Sequence, residues 1–131
     1  MAKMVHSMIR VLDEKRTLAF YGEAFGLKLA RRRDFPDFSL LYLSNGEADF
    51  ELELTVNKGR NRPYELGEGY GHLAVTVADL DAERARFERL GFPLGRMVDM
   101  RCGDVPVARY FFVTDPDGYK IEVIERKGDF A

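Results

Sequence analysis

The stretch His6-Ser7-Met8-Ile9-Arg10-Val11-Leu12-Asp13 is answered further along the chain by His72-Leu73-Ala74-Val75-Thr76-Val77-Ala78-Asp79. Each opens on a histidine, alternates, and closes on an aspartate. These are the only two histidines in the chain. Each stretch leads into a helical segment ending on an apolar residue and a glycine, Phe25-Gly26 and Leu90-Gly91. Each half then runs to a strand that carries a glutamate, Glu53 in the first and Glu122 in the second. The His-to-Glu spacing is nearly the same in both. Self-similarity of this kind marks a duplicated structural unit.

The pattern inside each half is that of one α+β unit. Residues 5–11 alternate with period two, which predicts a half-buried strand with Val5, Ser7, Ile9 and Val11 on one side and His6, Met8 and Arg10 on the other. Asp13 is a helix N-cap, Leu18, Tyr21 and Phe25 recur at helical spacing, and Gly26 stops the helix. In the second half Asp79 or Asp81 caps, Leu80, Phe87 and Leu90 form the apolar stripe, and Gly91 ends it. Three strands are predicted after each helix, at 27–31, 39–43 and 49–55, then at 92–98, 108–114 and 120–124. Asp115-Pro116-Asp117-Gly118 is a strong turn between the last two, and Asn45-Gly46 serves similarly in the first half. The expected fold is therefore α+β, two tandem βαβββ modules at about 3–57 and 70–127. The glycine-bearing stretch 58–69 connects them.

Composition bounds the function. The 131 residues are 46% hydrophobic and 32% charged, which suits one folded domain and excludes a disordered chain. The net charge of −2 lacks the basic surplus of a nucleic-acid binder. The run Arg31-Arg32-Arg33 is offset by Asp34 and Asp37 and reads as a solvated strand end. No apolar stretch is long enough to span a membrane, and Met1-Ala2-Lys3-Met4-Val5-His6 has no signal-like apolar core. A single cysteine, Cys102, excludes an internal disulfide and a cysteine-built metal site; the expected setting is the reducing cytoplasm.

The chemistry lies in the repeated pair. Alternation puts Phe50, Leu52 and Leu54 on one side of their strand and Glu51, Glu53 and Thr55 on the other. Glu122 points away from its neighbours Ile121 and Val123. Each module thus offers one imidazole and one carboxylate. Two nitrogens and two carboxylate oxygens, completed by water, suit a six-coordinate first-row divalent metal such as Ni²⁺, Co²⁺, Mn²⁺ or Fe²⁺; Zn²⁺ more often takes four ligands. Glu51 and Glu53 share a face, so alternation leaves both open as the first module's carboxylate. Modules this small leave little room for a deep cavity, and a large active site calls for a second subunit.

The sequence resembles glyoxalase I of the vicinal oxygen chelate superfamily, in its short bacterial form. The resemblance is carried by His6-Ser7-Met8-Ile9-Arg10-Val11, Leu18-Ala19-Phe20-Tyr21, Glu53-Leu54-Thr55, Tyr70-Gly71-His72 and Asp115-Pro116-Asp117-Gly118-Tyr119-Lys120-Ile121-Glu122. It runs from about residue 5 to residue 125. It implies the glyoxalase fold completed by homodimerisation, and the ligand set His6, Glu53, His72 and Glu122. The implied cofactor is a divalent metal, Ni²⁺ or Co²⁺ before Zn²⁺, Mn²⁺ or Fe²⁺. The implied substrate is the hemithioacetal of a 2-oxoaldehyde such as methylglyoxal with glutathione, isomerised through an enediolate to S-lactoylglutathione. Glu122 would move the proton, with Glu53 opposite it, and Arg10, Asn57 and Arg96 would hold the thiol's carboxylates. In the implied homodimer, His6 and Glu53 of one copy meet the partner's His72 and the partner's Glu122. The chain departs from the family pattern in having Asn57-Lys58-Gly59 for Asn-Trp-Gly, Glu68 where some relatives carry arginine, and Met100-Arg101-Cys102-Gly103-Asp104-Val105-Pro106-Val107 in place of a Gly/Lys-rich loop. The alternatives on this scaffold are another metal-dependent enzyme, an epimerase or dioxygenase, and a resistance-type protein that binds a small molecule.

Overall fold

Asp13 and Asp79 start the two helices of the computed structural model, which describes Met1–Ala131. Asp13 accepts from the Arg16 amide at 3.1 Å to open α1 (Glu14–Phe25), and Asp79 accepts from the Ala82 amide at 2.9 Å to open α2 (Leu80–Leu90). Each cap satisfies an amide that the first helical turn leaves without a partner. Both helices end on a left-handed glycine, Gly26 at φ 65° and Gly91 at φ 77°, where a Cβ would be strained.

The chain divides into two compact units, Met1–Glu65 and Leu66–Ala131. The first holds β1 (His6–Arg10), α1, β2 (Lys28–Asp34), β3 (Phe38–Ser44) and β4 (Glu51–Asn57), with sheet order β1-β4-β3-β2. The second repeats it as β5 (Leu73–Val77), α2, β6 (Val98–Cys102), β7 (Val105–Thr114) and β8 (Lys120–Glu125), order β5-β8-β7-β6. A short 3₁₀ turn, Gly128–Phe130, follows. In each unit the first strand lies parallel to the last, and the remaining pairs are antiparallel. Registers match too: Glu53 faces Met8, two residues past His6, and Glu122 faces Ala74, two residues past His72. The α+β class and the βαβββ repeat are thus as the sequence predicts. Neither helix is long and apolar enough to cross a membrane.

Each core forms between a helix stripe and one sheet face. Thr17, Phe20, Tyr21 and Ala24 make the buried stripe of α1, and Leu41, Leu43 and Leu54 are fully buried in its sheet. In the second unit Phe87 of α2 meets Phe111 of β7, with Val113, Ile121 and Val123 buried in the sheet. Strand β3 shows the consequence for the other face. Ser39, Leu41 and Leu43 are buried while Phe38, Leu40, Tyr42 and Ser44 point to the opposite side and are half-buried.

Several expectations change. The strand predicted at 92–98 is instead Val98–Cys102, and Leu94 makes only an isolated bridge to Val113. Pro93 has no amide to donate, so the ladder cannot run through it; its carbonyl still accepts from Thr114 and the Gly95 amide donates to Phe112. The segment 100–107, read as a loop, is a hairpin in which Cys102 pairs with Val105 across Gly103-Asp104. Both faces of strand β4 are covered: Leu52, Glu53, Leu54 and Thr55 are all buried, because β1 and β3 flank it. Val5 precedes its strand and is exposed. Asn45-Gly46 opens a longer connection rather than a tight hairpin; the Asn45 side chain donates to the Phe25 carbonyl and accepts from the Glu47 amide, both at 3.0 Å. Asp79 is the cap of α2, and Asp81 pairs with Arg109 of β7.

Candidate functional site

The period-two pleat of β1 and its parallel pairing with β4 put His6 and Glu53 on one face of the first sheet. His6 Nε2 lies 3.5 Å from Glu53 Oε2. In the second unit His72 stands just before β5, and its Nε2 lies 2.6 Å from Glu122 Oε2 on β8. The carboxylates are 11% and 15% exposed and the imidazoles 37% and 40%, so in each pair the acid is covered and the ring is reachable. Within each unit these donors come as a pair, with no third His, Cys, Asp or Glu joining to make a metal-holding group.

Glu51 and Glu53, indistinguishable by alternation, have separate partners. Arg31 of β2 forks onto Glu51, at 2.8 Å and 3.1 Å. A bidentate guanidinium occupies both carboxylate oxygens and neutralises the charge. Glu53 stands instead directly opposite Tyr42 of β3 in the strand register. The Glu53 carboxylate beside it, aided by burial, holds the Tyr42 phenol above its usual pKa. The Tyr42 ring stands edge-on to His6 at 6.0 Å, and the Arg31 guanidinium lies 4.3 Å above its centroid. In the second unit Phe112 takes the corresponding place: it faces Glu122 as Tyr42 faces Glu53, and stands edge-on to His72 at 5.0 Å.

The donor chemistry fits a divalent ion. Two ligands about 2.1 Å from one ion and at right angles lie about 3 Å apart. The observed His–Glu separations, 3.5 Å and 2.6 Å, bracket that value. A mixed nitrogen and oxygen set suits first-row divalent metals, and no thiolate competes, since Cys102 is exposed on the β6–β7 hairpin.

The remaining predicted site residues are distributed as follows. Arg10 ends β1 and is exposed. Asn57 ends β4, half-buried, and its side-chain amide donates to the Tyr64 hydroxyl at 3.0 Å. The Arg60 guanidinium covers the same Tyr64 ring at 4.1 Å and donates to the Arg62 and Pro63 carbonyls, which ties this connection down. Arg96 is exposed between the Leu94 bridge and β6, outside the strand predicted for it. Sequence reasoning missed Tyr42, read Arg31 only as part of a solvated strand end, and left Glu51 open beside Glu53. The one available signal was the alternation of β3, which sets a phenol on the face away from Leu41 and Leu43.

Comparison with known proteins agrees with this architecture. The sequence profile of the Glyoxalase/Bleomycin resistance protein/Dioxygenase superfamily matches residues 3–123. A lactoylglutathione lyase of Neisseria meningitidis serogroup A is 42% identical over 130 residues, 95% of this chain and 91% of that one. Among solved structures, the trypanothione-dependent glyoxalase I of Leishmania major superposes with a TM-score of 0.78 at 34% identity, covering 95% of this chain and 87% of that one. Glyoxalase I from Zea mays gives a TM-score of 0.83 at 33% identity; it covers 96% of this chain, which spans 45% of the maize chain.

Proposed function

The chain belongs to the Glyoxalase/Bleomycin resistance protein/Dioxygenase superfamily, and on that premise we propose that it is a lactoylglutathione lyase, a glyoxalase I. It isomerises the hemithioacetal of methylglyoxal and glutathione to S-lactoylglutathione. The observation that carries this reading is the repeated His–Glu pair, His6 with Glu53 and His72 with Glu122, at matching registers in two matching units. The identity to lactoylglutathione lyases along almost the whole chain supports it.

His6, Glu53, His72 and Glu122 are the ligands of one divalent ion, Ni²⁺ or Co²⁺ in first place. Bound there, the ion supplies Lewis-acid stabilisation of the negative charge that builds on the substrate oxygens, worth several kcal/mol of barrier. The chain's own residues handle the proton. Glu122 takes it from C1 of the hemithioacetal and it returns at C2, so the product is an isomer and nothing is oxidised or reduced overall. Charge supports a ligand carboxylate in this role: protonating one of two carboxylates removes one negative charge just as the enediolate gains one. Glu53 stays charged opposite it. Arg10 is a fork donor fitted to a thiol's carboxylate, and Asn57 and Arg96 add polar contacts.

A pair per unit is half of a ligand set. The working enzyme is a homodimer in which each ion takes His6 and Glu53 from one copy, with the partner's His72 and the partner's Glu122. The maize glyoxalase I chain, of which this chain spans 45%, has room for two such copies, which supports this arrangement. A thiol-dependent reaction and a lone cysteine suit the reducing cytoplasm.

The test is turnover after metal exchange. Protein stripped of metal and reloaded with Ni²⁺, Co²⁺, Zn²⁺ or nothing is given methylglyoxal with glutathione or, in parallel, trypanothione. Thioester formation with Ni²⁺ or Co²⁺ and glutathione is expected, falling about 10²-fold or more in Glu122→Gln, the usual scale for a lost general base. No thioester with any metal and either thiol would remove this function.

A further inference from the structure

On one face of the first sheet a connected set of side chains runs across all four strands: Arg31 of β2, Tyr42 of β3, Glu51 and Glu53 of β4, and His6 of β1. Arg31 is fixed by its two bonds to Glu51 and lies on the Tyr42 ring. The ring is thereby clamped between the guanidinium and His6, directly opposite Glu53 in the strand register. The second unit repeats the register without the clamp. Phe112 faces Glu122 and has no hydroxyl, and the edge segment beside Phe112 offers Gly95, whose backbone amide bonds the Phe112 carbonyl at 2.8 Å. The duplicated fold therefore builds two unlike carboxylates. One stands opposite a clamped phenol; the other is set against a bare ring.

A glutamate's terminal torsion is broad and roughly two-fold, so a carboxylate with no donor beyond its histidine samples several orientations. A hydrogen bond to one oxygen selects among them and directs the other lone pairs. We propose that Tyr42 is a positioning residue: clamped under Arg31, it fixes Glu53 in the orientation that holds the divalent ion, and the absence of a counterpart at Phe112 leaves Glu122 the mobile carboxylate that carries the proton. This rests on the metal-dependent isomerase reading above. The two carboxylates thereby differ in freedom although the fold places them at equivalent registers.

The test compares Tyr42→Phe with the wild type. The change is mild, since Phe112 shows that the fold accepts phenylalanine at this register. Co²⁺ affinity, measured by competition with a chelator, is expected to fall about ten- to a hundredfold, the scale for losing a hydrogen bond to a metal ligand. The visible Co²⁺ absorption bands are expected to shift, which a role in packing alone would not produce. Phe112→Tyr is the mirror experiment; restraining Glu122 is expected to lower kcat while Co²⁺ affinity holds. Wild-type affinity and spectrum in Tyr42→Phe would overturn the proposal, as would wild-type kcat in Phe112→Tyr. If the wild type binds Co²⁺ without isomerase turnover, the reaction reading fails and the Tyr42→Phe affinity still decides this proposal. If the wild type binds no divalent ion, both fail together.

Discussion

Phe87 has no exposed surface and meets the rings of Phe92 and Phe111 at 5.6 Å and 5.8 Å between centroids. Truncating such a side chain removes both its transfer free energy and its contacts, since a packed core closes the hole only in part. Phe87→Ala is expected to destabilise the protein by about 3–5 kcal/mol. Urea unfolding checks this: the midpoint drops and the slope is kept. At this scale the sequence spoke clearly wherever a residue's role depends on its own strand. The pairing of each histidine with a glutamate of its own unit was legible because alternation assigns faces and the repeat singles out equivalents, while the choice of Glu53 over Glu51 came from family likeness. Tyr42 was not, because its partner is chosen by register between β3 and β4. The same holds for Glu51, whose neutralisation comes from Arg31, two strands away in the sheet.

Between elements, the tie of α2 to the second sheet has a pH signature. Arg109 of β7 donates to both oxygens of Asp81 at 2.9 Å and 2.8 Å, and this holds the Asp81 carboxyl below its usual pKa. A depressed folded-state pKa means that the pair contributes stability above the ordinary carboxylate value of about 3.9, and loses it as pH falls through the folded value. The carboxylate is well exposed, so the contribution is small. Thermal melts of wild type and Asp81→Asn are expected to differ at pH 6 and to converge as pH is lowered below about 4. An undiminished gap at low pH would assign the effect to packing. Element order was legible in full, since helix caps, glycine stops and strand alternation are local signals. Boundaries were less so in the second unit. The shift of β6 past Pro93 and Gly95 comes from how an edge strand meets β7, which hydropathy alone does not encode.

At the scale of the molecule, the account is one of duplication. Two units of the same order and the same register each carry one imidazole and one carboxylate, and the proposed shared site in a symmetric dimer would take one such pair from each copy. The proposed dimer comes from family likeness and from the small size of each module, because no local signal in a strand announces what a second copy would cover. Its most direct test is complementation between two damaged chains. Glu53→Gln and Glu122→Gln proteins, each nearly inactive alone, are mixed, unfolded, refolded together and loaded with Ni²⁺ or Co²⁺. In a mixed dimer with shared sites, one site collects both lesions and the other collects none. Random pairing is then expected to restore about a quarter of wild-type isomerase activity, because half the dimers are mixed and half of their sites are intact. A refolded mixture no more active than the two variants measured separately would contradict a metal site shared between copies.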